Sequence, residues 1–228
     1  MSSTTTTTRP PPLLGPAWLS HVCIVYFDLE TTGLDTSVAE TVEISGKLDP
    51  MCYARIGSRV SDAFTQLVRP ASGLIPVEAT AIHKISASHV QSSDSFSVAI
   101  VKFFDWLTRI KREYNESQFQ CMMLVAHNGY RYDAQIIQRQ CTQANIDIPT
   151  FTVFGDTLVV LREVCPLMGR RFSLQALHKE WVENKKKKKE ECMQEHRAAS
   201  DVCMLISVMQ ECPHKEAVYA ALLKQRHC

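Results

Sequence analysis

Residues 22–34 read Val-Cys-Ile-Val-Tyr-Phe-Asp-Leu-Glu-Thr-Thr-Gly-Leu. From Val22 to Phe27 the run is apolar without alternation, the pattern of a strand covered on both faces in the middle of a sheet. It ends on two acids, Asp28 and Glu30. Strand side chains alternate, so carboxylates two residues apart point to the same side. Two negative charges side by side call for a cation, although a turn aspartate and a solvated glutamate would explain an isolated pair of this kind. The Thr-Thr-Gly of residues 31–33 breaks the strand.

Outward from this stretch, Val42 to Leu48 and Phe64 to Val68 supply two further strands, and the three together suggest a meander. Phe96, Ile100, Phe103, Leu107 and Ile110 recur at spacings of three and four. They predict an amphipathic helix with Ser93 or Asp94 as N-cap. Cys121 to Ala126 is a second buried-strand run. His127, Asn128 and Gly129 turn it into a helix carrying Asp133, Ile136 and Ile137. Phe151 to Phe154 offers a fifth strand, followed by helical patterns at about 157–164, 173–182 and 197–211. The expectation is an α/β fold, a mixed five-stranded sheet flanked by helices.

Composition limits the alternatives. At 228 residues and 45% hydrophobic content the chain can bury one sizeable core. Residues 1–20, a Thr run followed by Arg9 and Pro10 to Pro12, have too little apolar content to order and are expected to form a disordered tail. The domain is expected over 21–214, with 215–228 as a C-terminal extension. With 25 Lys and Arg against 24 Asp and Glu, net charge says nothing about a nucleic-acid partner; only a local site can. Nine cysteines, odd in number and without repeated spacing, fit free thiols in a reducing compartment, so an intracellular protein, cytoplasmic or nuclear, is expected. No run approaches the roughly 18 apolar residues of a membrane helix, so no membrane partner is expected.

Asp133 lies three and four residues before Ile136 and Ile137, on the apolar face of its helix. Asp201 lies three after Ala198 and four before Leu205, again within an apolar seam. Burying an unpaired carboxylate is costly, and an N-cap or a buried ion pair is the alternative for each. Four acids aimed inward from three elements make a magnesium site the economical explanation, because hard cations take carboxylate oxygens. His196 precedes Asp201 by five residues, about 140° apart on a helix. The two therefore serve one site only if His196 precedes the regular helix. A histidine there suits a general base, its unperturbed pKa of about 6.5 lying near the working pH; a surface histidine is the plain alternative.

These residues carry a resemblance. Phe27 to Leu34 resembles the first motif of DnaQ-like DEDDh 3′→5′ exonucleases. Ala126-His127-Asn128-Gly129-Tyr130-Arg131-Tyr132-Asp133 resembles the second, in a form similar to the TREX group and the related PML-type exonuclease domain, and His196-Arg197-Ala198-Ala199-Ser200-Asp201 resembles the third. Ile75 to Ile85 is similar to the segment these enzymes place beside the terminal nucleotide. The resemblance covers roughly residues 21–212 and implies a ribonuclease H-like fold. It also implies two Mg2+ ions, replaceable by Mn2+, held by Asp28, Glu30, Asp133 and Asp201, with Asp133 acting through a bound water and His196 as general base. Thr31, Leu34, Ile82, Ile85, Asn128 and Tyr132 are implied as substrate contacts, with Leu34 a wedge and Ile82 or Ile85 the opposite wall. Ordinary core packing explains the three apolar ones as well.

The implied partner is a nucleic acid with a free 3′ end, DNA favoured over RNA, releasing nucleoside 5′-monophosphates. A homodimer is compatible with the resemblance. An RNA 3′→5′ exonuclease and a catalytically weak interaction module on the same fold are the alternatives. Lys185 to Lys189 read as a solvated loop or as nucleic-acid capture. Arg170 and Arg171 read as surface arginines or phosphate contacts. Zinc at Cys192 and His196, or Cys212 and His214, lacks a set of four ligands.

Overall fold

The computed structural model describes residues 21–56, 60–114, 119–166, 171–184 and 197–225. The expected N-terminal tail, Arg170, the lysine run and His196 lie outside the described residues. Strands β1 (Val22–Thr31), β2 (Thr41–Leu48) and β3 (Ala63–Arg69) pair antiparallel in sequence, which is the expected meander. Strand β5 (Cys121–Ala126) adds parallel to β1, and β6 (Thr152–Asp156) adds parallel to β5. β1 is therefore central, and Val22 to Phe27 are at most 1% exposed.

The sheet has six strands rather than five, in the order β4-β3-β2-β1-β5-β6. The extra strand, β4, is Asp94–Ser95, which pairs with Val68 and Arg69 at the end of β3. Asp94 is thereby diverted from capping. Its carboxylate takes Lys102 at 2.6 Å and the Gln66 amide, and Ser95 becomes the N-cap of helix α4 (Phe96–Glu113). Short helices α1 (Pro50–Ile56), α2 (Val77–His83) and α3 (Ala87–Val90) fill the connections on either side of β3.

Each face of the sheet has its own cover. Gly46 stands opposite Phe27 across the β1–β2 ladder, and a Cβ at Gly46 would lie 2.9 Å from Phe103 and 3.0 Å from Trp106 of α4. Only glycine lets the helix sit that close. Phe27 and its odd-numbered neighbours thus share the α4 face, and Tyr26, Asp28 and Glu30 take the other. Helix α5 (Asp133–Ala144) lies beside α4, whereas α8 (Ala198–Glu211) crosses β1 and β2 on the opposite face. Between them in sequence come α6 (Thr157–Val164) and α7 (Leu174–His178), the latter continuing as a wider π-type turn over Lys179–Glu183.

Residues past 214, expected as an extension, form helix α9 (Lys215–Lys224), which buries Val218, Tyr219, Ala221 and Leu222 against the core. The Tyr219 hydroxyl donates to Asp49 Oδ2 at 2.8 Å and lies 3.0 Å from the Tyr26 hydroxyl, fastening α9 to β1. Among the described residues no helix is long and apolar enough to cross a membrane.

Candidate active site

At the carboxyl end of β1, Asp28 and Glu30 point to the α8 face, and the crossing of α8 over β1 and β2 brings Asp201 to meet them. One carboxylate oxygen from each of the three lies within 4.8 Å of the others. Oxygen donors only, negatively charged and from two separate elements, form a set suited to a hard divalent cation. Asp133 opens α5 at the same end of the strand. It is 3% exposed, and its Oδ1 accepts the Leu29 amide at 3.2 Å. It therefore stands beside the three-carboxylate group rather than within it.

The electrostatics reflect this crowding. Burial, and then the charges of Asp133, Glu30 and Asp201, push the Asp28 carboxyl well above the usual carboxylate range. Glu30 is lifted to about 8, first by burial and then by Asp201, Glu43 and Asp133, with Arg197 opposing. Burial carries Asp133 to about 7 although its amide hydrogen bonds pull the other way. Carboxyls raised by burial and by one another's charge describe a site that disfavours its own charge until a cation compensates it.

A second cluster shapes the wall. Asp156, 1% exposed at the end of β6, accepts the amides of Asn128 at 3.0 Å and Tyr130 at 3.1 Å and caps α6 through Leu158 at 2.8 Å. This clamp holds the β5–α5 turn, in which Asn128 adopts φ +68°. A Cβ on Gly129 would come within 2.8 Å of the Ala126 Cβ, so a side chain there would not fit without movement. His127 Nε2–H donates to the Phe172 carbonyl at 2.7 Å, tying the turn to the approach of α7. Between these elements a cleft of about 400 Å³ is lined by Asp28, His127, Asn128, Arg162, Ser173 and Asp201, among others.

The other expected contacts divide. Leu34 is 85% exposed and Ile82 50%, so both are available at the surface. Ile85, expected as a possible wall, is 1% exposed and packs with Val42 and Val90; it serves the core. The Tyr132 hydroxyl donates to the Gly33 carbonyl at 2.6 Å and contacts the Thr31 hydroxyl, so this pair pins the loop that presents Leu34. His83, which the sequence did not single out, is buried beside Ile82. Its Nδ1 accepts the Ile85 amide at 3.0 Å, so Nε2 carries the proton and faces the Thr31 carbonyl at 3.3 Å. Burial holds the His83 imidazole below its ordinary pKa, in keeping with this neutral form.

Glu43 and Arg197 also escaped the sequence reading. Arg197 stands four residues before Asp201, a spacing at which a helix can pair them. Its guanidinium goes instead to Glu43 on β2, with Nη2 2.5 Å from Oε1 and Nε 3.1 Å from Oε2. Arg197 is extended, at φ −129° and ψ 131°, and α8 begins at Ala198.

Comparison with known proteins agrees with this architecture. The family model described as RNase_T, exonuclease, matches residues 25–209, and the chain belongs to that exonuclease family, a class of nucleases. It is 29% identical over 195 residues to the chloroplastic/mitochondrial exonuclease DPD1 of Arabidopsis thaliana, a match covering 82% of this chain and 55% of the relative. The chain thus spans about half the length of that relative. Among solved structures, cell-death related nuclease 4 (CRN-4) superposes with a TM-score of 0.64 at 15% identity, over 84% of this chain and 63% of that one. Exonuclease X in complex with 5′ overhanging duplex DNA gives 0.56 at 19%, over 90% and 98%. A zinc-bound E. coli ExoI–ssDNA complex gives 0.65 at 13%, over 90% and 43%. At these identities the three structures speak for the fold.

Proposed function

We infer that the chain is a 3′→5′ exonuclease that hydrolyses the terminal phosphodiester of a nucleic acid, single-stranded DNA preferred, and releases nucleoside 5′-monophosphates. The observation that carries this reading is the meeting of Asp28, Glu30 and Asp201 within 4.8 Å at the edge of an open cleft. Membership of an exonuclease family supplies the reaction class. The DNA in the neighbouring complexes of Exonuclease X and ExoI supports DNA as the substrate.

Asp28, Glu30 and Asp201 would hold Mg2+, with Mn2+ able to substitute, and Asp133 would orient the group from beside it. Divalent cations in such a site supply positive charge against the scissile phosphate and ease deprotonation of the attacking water. His196 accepts the proton of that water, and the leaving group is the 3′ oxygen of the shortened strand. Leu34 and Ile82, both exposed, would bracket the last bases by apolar stacking, which does not discriminate among them. Asn128, which lines the cleft, and Tyr132 would contact the 3′ hydroxyl and the scissile phosphate.

The test is incubation of the full chain with 3′- and 5′-labelled single-stranded DNA and RNA, with Mg2+ or with chelator, beside Asp28→Asn and Asp201→Asn. Each variant should lose activity by roughly a thousandfold or more while remaining folded, as expected when a unit of the catalytic machinery is removed. Degradation from the 5′ end, activity in chelator, or full activity in either variant overturns the reading.

A further inference from the structure

Glu43 is a fifth acid at the site, 1% exposed and directly opposite Glu30 in the β1–β2 register. Like charges facing each other across a ladder repel, so its presence needs a reason. Unlike Glu30, its acceptor positions are engaged by its neighbours. Oε1 takes Arg197 Nη2 at 2.5 Å, and Oε2 takes both Arg197 Nε at 3.1 Å and the Ala198 amide at 3.0 Å. Its charge is matched by a guanidinium in the two-pronged arrangement that fixes geometry as well as energy.

The contact has a direction. Ala198 is the first residue of α8, and Arg197 has no side-chain cap bond of its own to that helix. A carboxylate from another element therefore satisfies the first amide, and it lies at the end of the helix dipole that favours an anion. The carbonyl of Arg197 accepts the amides of Ser200 at 2.8 Å and Asp201 at 3.0 Å. Three hydrogen bonds thus tie Glu43 to Arg197 and Ala198, one more joins the Arg197 carbonyl to Asp201, and the ladder joins Glu43 to Glu30.

We propose that the Glu43–Arg197 pair is a positioning device that sets the separation between Asp201 on α8 and Glu30 on β1, and so fixes the bite of the carboxylate site for its cation. Neither residue ligates the cation. This rests on the metal-dependent reading above.

The experiment titrates Mn2+ into the full-length protein by calorimetry and follows thermal unfolding and oligonucleotide kinetics in parallel. Glu43→Gln and Arg197→Met each should weaken Mn2+ binding by about tenfold to a hundredfold, the range seen when groups that orient metal ligands are removed. kcat should fall while the KM for a single-stranded DNA oligonucleotide stays within about twofold, as for an interaction that does not touch substrate. Arg197→Lys, which keeps charge but not the fork, should fall between.

The double variant Glu43→Gln/Arg197→Met separates positioning from stability. Exchanging the ion pair for neutral residues leaves no uncompensated charge, and the carbonyl of the introduced glutamine can still accept the Ala198 amide that Glu43 Oε2 takes at 3.0 Å. It should therefore unfold near the wild-type temperature yet bind Mn2+ as weakly as the single variants. Native Mn2+ affinity in that double variant refutes the positioning role. Absence of both Mn2+ binding and 3′-end degradation in the wild type refutes the functional reading itself, and this proposal with it.

Discussion

In the absence of divalent cations the protein should lose stability as pH rises from about 4.5 to about 8. Glu30 has an ordinary value of 4.5 when unfolded and about 8 when folded. Between those limits the native state holds a proton that the unfolded chain has released, so raising the pH favours unfolding. At about 1.4 kcal/mol per pH unit, the interval sets a ceiling of roughly 4 to 5 kcal/mol for this residue. Its partial exposure, and the sharing of protons within the cluster, reduce that to about 1 to 2 kcal/mol. Asp28, raised, and Asp133, near 7, act with the same sign.

For a domain of this size about 1 kcal/mol corresponds to roughly 2 to 4 °C, so the melting temperature should drop by about 2 to 8 °C across the interval. The assay is thermal unfolding in chelator at a series of pH values, repeated with saturating Mg2+. The cation should restore stability, and its effect should grow with pH because it binds the deprotonated acids. Glu30→Gln should flatten the metal-free profile. A profile that is flat or rises in chelator, or a Mg2+ effect equal at both ends, would refute the reasoning.

Asp156→Ala should cost roughly 2 to 4 kcal/mol, because a buried carboxylate serving three backbone amides is lost with a helix cap; urea unfolding reads it, and a loss below about 0.5 kcal/mol would count against the clamp on the Asn128 turn. Single-stranded or frayed 3′ ends should be degraded faster than blunt duplex, because freeing a paired terminus costs a few kcal/mol. Leu34→Ala should narrow that ratio, and equal initial rates on matched substrates would remove Leu34 from the wedge role. Replacing Lys185 to Lys189 with Ser should raise KM and flatten its dependence on salt if the run captures phosphates; an unchanged salt slope would leave it a solvated loop.

What the sequence disclosed, and what it hid, follow from the range of the interactions. Asp28, Asp133 and Asp201 stood out because each breaks a local apolar pattern, and a broken pattern is visible within a few residues. Glu43 is a single acid within the Thr41–Leu48 strand, and its partner lies 154 residues away, so nothing near it in sequence announces the pair. Asp156 was hidden in the same way, its amide donors lying more than twenty residues upstream at Asn128 and Tyr130. β4 is two residues long, too short for any periodicity to register. Ile82 and Ile85 are indistinguishable by type, and only the turn at Lys84, at φ +62°, sends one outward and the other into the core.

The register of β1 is itself a chemical specification. Side chains alternate, so a slip by one position against β2 and β5 exchanges the entire contents of the two faces. Tyr26, Asp28 and Glu30 would turn toward Phe103 and Trp106, and Phe27 and Leu29 would turn toward Asp201. One inserted residue anywhere between Val22 and Phe27 therefore amounts to deleting the carboxylate pair while leaving both acids in the chain. Composition, charge and strand propensity would scarcely change. The spacing of this strand should accordingly tolerate exchanges among apolar residues far better than it tolerates any change in length.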